Sequence, residues 1–281
     1  MIRPAMLCSS LFLLSSCATV EVPPPLPPAP EGIVRIPLIL ERGLPWVDVR
    51  IGERTLRLLV DLGGFDTVAL SPASLEGMHV TWTGRTRTTY SAMGRMASAR
   101  EYELPSMVLG GVVFNAVRGT EDVLQGEERP ANRAGYIGLG LLQRFNLVID
   151  YPERELVLLW PDVAPPPDYD VPSWPSTEFG AGVNGVISTV VVDGSPRRLV
   201  WDTGASHCVL KSGLQGAAPK EGKHPVFTAK RFEVGGRDLG PVELVLLDFK
   251  QPPADGFIGY SFFAKHAVHV DFRKRRLAVR P

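Results

Sequence analysis

Two aspartates stand apart by their surroundings. Asp61 closes the apolar run Leu58-Leu59-Val60, and Asp202 closes Leu199-Val200-Trp201. A glycine follows two residues later in each case, Gly63 or Gly204. A carboxylate at the end of a strand, next to a glycine, sits where the chain can turn tightly and present it. If the two segments face one another, the carboxylates meet. Such a pair can share one proton, one member acting as base and the other as acid on a bound water.

What would bring them together is a duplication. Tyr136-Ile137-Gly138 aligns with Phe257-Ile258-Gly259, and the sequence onward from each runs in parallel without a gap to Trp160 and Pro281. Asp150 matches Asp271, Tyr151 matches Phe272, and Leu156 matches Leu277. Residues 58–70 (LLVDLGGFDTVAL) match 199–210 (LVWDTGASHCVL), and Val108-Leu109-Gly110-Gly111 matches Glu233-Val234-Gly235-Gly236. Three blocks in one order identify a tandem repeat of a unit of ~100 residues. Two copies related by a pseudo-twofold place Asp61 opposite Asp202.

The unit reads as β structure. Val47–Ile51 and Leu56–Asp61 flank Gly52-Glu53, and their copies flank Asp193-Gly194, a good hairpin signal. Thr86–Tyr90 and Met96–Leu104 flank a turn at Ser91-Ala92-Met93-Gly94, and 147–150 with 156–159 flank Pro152-Glu153-Arg154. Only 139–144 and the copy 260–265 look helical. The 28 glycines and 26 prolines agree with many short strands and turns. The expected fold is all-β, with two homologous lobes and a cleft between them.

At this point a family becomes recognisable. Asp202-Thr203-Gly204-Ala205 resembles the D-T-G-A signature of retropepsin-type aspartic proteases, and Asp61-Leu62-Gly63-Gly64 looks like a degenerate copy. The two Ile-Gly triplets resemble the apolar-apolar-Gly triplet late in each lobe of that family. Both lobes lie in one chain, as in pepsins. The resemblance covers nearly all of 45–281 and implies Asp61 and Asp202 as the catalytic dyad. It implies Gly63, Thr203 and Gly204 as support of the catalytic loops. It also implies a substrate-covering flap carrying Tyr90, Met93 and Gly94. The corresponding stretch of the second lobe, Gly222–Thr228, is short, so one flap is expected. Carboxylates ~3 Å apart repel by roughly 5 kcal/mol at an effective dielectric of ~20. The aspartic-protease dyad is itself the standard case in which this splits two titrations and leaves one shared proton. No metal or other cofactor is needed, and activity should fall as rising pH removes that proton. Leu62 departs from the pattern: the family has Thr or Ser there, whose hydroxyl bonds across the lobes. Thr203 is therefore expected to lack its partner, at about 1 kcal/mol or more. Two functions follow. One is an aspartic endopeptidase; the other is a catalytically weak relative that binds peptides in the cleft.

Other chemistries find little support. His266 and His269 lie three apart on an expected strand, hence on opposite faces, which argues against a metal pair. His207 and Cys208 are strand neighbours that point apart, and no G-x-S-x-G or H-E-x-x-H occurs. Thirty Lys+Arg balance thirty Asp+Glu, which gives no electrostatic footprint for nucleic acid. Partners are thus a polypeptide substrate and a membrane, with the chain acting as a monomer.

The membrane enters through the N-terminus. Residues 1–16 read as a signal peptide, and Leu14-Ser15-Ser16-Cys17 resembles the bacterial lipobox, in which the cysteine is lipidated. A plain secretory signal with a chance cysteine is the alternative. Ala18, by resemblance to lipoprotein sorting, favours the outer membrane; the expected location is the periplasm or cell surface. Residues 17–32 form a proline-rich tether of polyproline II, whose prolines reach roughly 30–35 Å. Lobes at 33–160 and 176–281 flank a proline-rich linker at 161–175.

Overall fold

The computed structural model describes residues 25–124, 133–180, 185–214, 224–250 and 253–281. Cys17 and the signal segment lie outside them. Each lobe repeats one plan. A hairpin, Leu44–Ile51 with Arg54–Val60, ends at Asp61; its copy, Ile187–Val192 with Ser195–Trp201, ends at Asp202. A short strand, Gly135–Ile137 or Gly256–Ile258, then lies parallel to the aspartate strand and antiparallel to Val68–Leu70 or Cys208–Leu210. The aspartate loop is thereby threaded between two strands. Asp61 N–H donates to Ile137 O and Asp202 N–H to Ile258 O, both at 2.9 Å.

The Ile-Gly signature has a packing cause. A Cβ on Gly138 would lie 2.6 Å from Gly64 O, and one on Gly259 would lie 2.5 Å from Ala205 O. Only a residue without a side chain lets the triplet approach the aspartate loop. The helical turns Leu139–Leu142 and Tyr260–Phe263 follow at once, as the sequence pattern predicts.

A shared sheet joins the lobes. Asn146–Asp150 pairs antiparallel with Ala267–Asp271, with Leu147 opposite Val270 and Ile149 opposite Val268. Outward from that seam, Glu155–Leu159 and Ile33–Pro37 mirror Arg276–Val279 and Ser176–Gly180. The mirrored order is the pseudo-twofold that the repeat implies. Residues 161–175 do not hang free: Tyr169 and Trp174 pack with Val148, Val157, Leu159, Ala267 and Ala278 of this sheet. No described helix is long and apolar enough to cross a membrane.

One histidine expectation changes here. His266 precedes the strand Ala267–Asp271 and donates through Nδ1 to Arg280 O, 2.9 Å away. His269 is on the strand and buried, and its Nε2 has no hydrogen-bond partner among the described residues. Burial pushes it down to about 4, with Asp271 opposing and Lys274 adding. An unfolded histidine takes up its proton near 6.5. Between those values the unfolded chain binds more protons, so stability falls as pH is lowered through that window and levels off below it. The loss amounts to roughly 3 kcal/mol. His269→Leu should therefore flatten the decline in urea midpoint between pH 6.5 and 4. An equally steep decline in the variant would place the acid sensitivity elsewhere.

Candidate active site

Asp61 is 3% exposed and Asp202 is half-buried. Their loops have one geometry. Gly63 N–H donates to Asp61 Oδ1 at 2.9 Å, and Gly204 N–H donates to Asp202 Oδ1 at 2.8 Å. Each of these glycines also lies against the other lobe's aspartate. A Cβ on Gly63 would meet Asp202 Cγ at 2.6 Å, and one on Gly204 would meet Asp61 Oδ1 at 2.6 Å. The two carboxylates are thus brought to one point, each held by its own loop and abutting its counterpart's.

Thr203 corrects the expectation drawn from Leu62. Its hydroxyl accepts from Leu62 N–H at 2.9 Å and donates to Val60 O at 2.6 Å, both across the lobes. The main chain of the first lobe supplies what its side chain lacks, and side-chain identity alone does not display main-chain donors. Leu62 is fully buried in the core and cannot return the same pair of bonds. The two aspartate loops are therefore tied from one side.

Apolar clusters flank both aspartates. Leu59 and Tyr136 pack with Leu44, Trp46 and Ala69, while Val200 and Phe257 pack with Ile187, Phe249 and Ala254. Strand alternation sets this, since Leu59 and Val200 each stand two residues before an aspartate. The flap is a long hairpin, Thr81–Tyr90 with Met96–Leu109. Its turn is closed by Gly94 N–H to Ser91 O at 2.9 Å, with Gly94 at φ +80°. The tip reaches the other lobe, where Lys250 N–H donates to Ala92 O at 3.0 Å. Tyr90 and Met93 are on this hairpin and exposed.

Several neighbours escape sequence reasoning. Tyr151, from the seam of the shared sheet, stacks on Phe263 at 5.3 Å, and its buried hydroxyl has no partner among the described residues. Burial first, then the charges of Asp202 and Asp61, holds its phenol far above the ordinary tyrosine value. Asp66 accepts from Tyr136 Oη and from Arg87 Nη1, the latter at 3.1 Å. A signal for Asp66 does exist in the repeat: the matching position of the second copy is His207, which is exposed. Cys208 is fully buried, and burial raises its thiol to about 11, so it is no nucleophile.

Comparison with solved structures places the whole arrangement. The aspartic proteinase from Irpex lacteus superposes with a TM-score of 0.59 over 88% of this chain and 96% of that one, at 14% identity. The fold is pepsin-like. No family model matches the sequence, and no curated protein does. The pepsin-like fold accounts for the duplicated aspartate loops, the shared sheet and the single described flap in one architecture.

Proposed function

We propose that the protein is an aspartic endopeptidase using Asp61 and Asp202 as its dyad. The observation that carries this is the reciprocal contact of Gly63 with Asp202 and Gly204 with Asp61. In this reading a water held between the carboxylates attacks the peptide carbonyl. The ionised aspartate takes a proton from water as its oxygen bonds the carbonyl carbon; the protonated one hydrogen-bonds the carbonyl oxygen and later gives its proton to the amine nitrogen as the C–N bond breaks. The flap Thr81–Met96, with Tyr90, Met93 and Gly94, covers an extended polypeptide, and the two apolar clusters receive its side chains. Retention of the Thr203 bonds favours a working dyad over a cleft that only binds peptides. The test is cleavage of an unstructured polypeptide library, with inhibition by a statine-type compound. Binding without cleavage would favour the inactive relative.

The substrate lies in the periplasm or at the cell surface, with the enzyme lipid-anchored at Cys17. The lipobox-like stretch and the proline tether support this. Cys17→Ser should leave the membrane fraction or remain unprocessed. Normal processing with unchanged membrane retention would remove the anchor from the proposal.

A further inference from the structure

The flap strand Thr81–Tyr90 reads TWTGRTRTTY and is exposed along almost its whole length. An arginine on such a strand is ordinarily free and hydrated. Arg87 is not. Its Nη1 is fixed by Asp66, a carboxylate that is itself 9% exposed and holds the Tyr136 hydroxyl on its other oxygen. The Tyr136 ring covers Gly64, lying 2.5 Å from where a Cβ would stand; Asp61 Cγ lies 3.3 Å from the same point. A continuous set of contacts therefore runs from the flap to the loop of Asp61. The side of the flap strand that carries Arg87, opposite to that of Tyr90, lies against Asp66 and Tyr136 beside the loop of Asp61.

The polarity of this arrangement is directional. Both Asp66 oxygens are occupied and buried, so that carboxylate presents nothing to a ligand. The Arg87 side chain is 51% exposed. Its Nε and Nη2 groups have no hydrogen-bond partner among the described residues, which leaves one edge of the guanidinium fork unused. A planar fork held in place from behind is suited to a carboxylate, which it can bind through two parallel bonds. Because the anchor is already paid for in the free protein, little rotamer entropy remains to be lost on binding.

We propose that Arg87 is a specificity-determining residue that binds an acidic side chain, Asp or Glu, of the polypeptide substrate on the first-lobe side of the cleft. This rests on the endopeptidase reading for its substrate class. The apolar clusters then set the residues at the scissile bond, and Arg87 sets a charge nearby.

The test compares peptides that differ only by Glu or Gln, and Asp or Asn, at each position around a cleavage site. The readout is the ratio of kcat/KM for the acidic peptide to that for its amide, taken within each protein, so that a general change in rate cancels. The full chain should favour the acid by about 10–100-fold at one position, the range of a charge-assisted hydrogen bond. Arg87→Gln should bring that ratio to about one, Arg87→Lys should keep part of it, and Arg87→Glu should invert it toward a lysine peptide. A ratio near one in the unmodified chain, or an unchanged ratio in Arg87→Gln, would overturn the proposal. If the chain cleaves nothing, the endopeptidase reading fails separately. The same peptide pairs are then compared by binding affinity, with the same ratios supporting or overturning the role of Arg87.

Discussion

Asp61→Asn and Asp202→Asn are each expected to abolish peptide cleavage while leaving the fold intact. In the proposed mechanism the two carboxylates divide the roles of base and acid, so neither remaining one can do both. Loss of one positioned acid or base is worth about 10²–10⁴-fold, and here a single change disables both roles. Stability should hold for a specific reason. Asp61 Oδ1 and Asp202 Oδ1 accept from Gly63 and Gly204, and an asparagine carbonyl oxygen can accept the same bonds. The thermal midpoint should therefore stay nearly equal while cleavage disappears. Substantial turnover by either variant would rule out the dyad. Loss of turnover together with loss of the folded state would leave the chemistry to be read from conservative loop variants such as Thr203→Ser, which keeps the hydroxyl.

The largest expected effect on stability lies away from the aspartates. Asp122 and Arg133 form an ion pair whose side chains are 2% and 1% exposed. Arg133 Nε donates to Asp122 Oδ2 at 2.9 Å, and a second guanidinium nitrogen bonds the same oxygen. The buried pair joins the segment after the strand Val112–Glu121 to the segment before the strand Gly135–Ile137. Asp122 N–H donates to Leu70 O, and Ala134 O accepts from Ser71 N–H, both at 2.8 Å. Removing Asp122 takes two charge-assisted hydrogen bonds from a buried guanidinium, each worth about 1.5–3 kcal/mol. Asp122→Ala should thus lower the urea midpoint sharply without changing the slope of the transition. The paired change Asp122→Leu with Arg133→Met should recover much of the loss, since well-packed apolar groups often replace a buried pair at little cost. Arg133 also lies 5.2 Å over the Tyr136 ring, so the single variant should disturb the wall beside Asp61 as well. A single variant as stable as the unmodified chain would show the pair to be solvated.

Much of the architecture is local and periodic, and such features are readable in the chain. Alternation predicts the hairpins 44–60 and 187–201, and the flap turn at 91–95 follows from its glycine and flanking strands. The repeat carries more: it aligns Asp61 with Asp202 and predicts the mirrored order of the shared sheet. Symmetry is a long-range statement that a sequence can hold, because two copies of one unit pack by one set of rules.

What the residues alone left open are contacts between distant main-chain and side-chain atoms. Leu62 as a letter predicts an unpartnered Thr203. The folded loop answers with the Leu62 N–H, a donor that nearly every residue type carries and no residue name reveals. The proline-rich 161–175 reads as a spacer, yet Tyr169 and Trp174 bury themselves on the shared sheet, because an apolar sheet face needs cover. Arg87, Asp66 and Tyr136 are far apart in sequence and are joined only when the flap folds over the aspartate loop. The sequence by itself determined the two carboxylates, their duplicated loops and the β plan, since each is local or repeated. Tertiary structure alone decided how Thr203 is satisfied and which flap residue is tied to Asp66, since both depend on where distant atoms of the chain arrive.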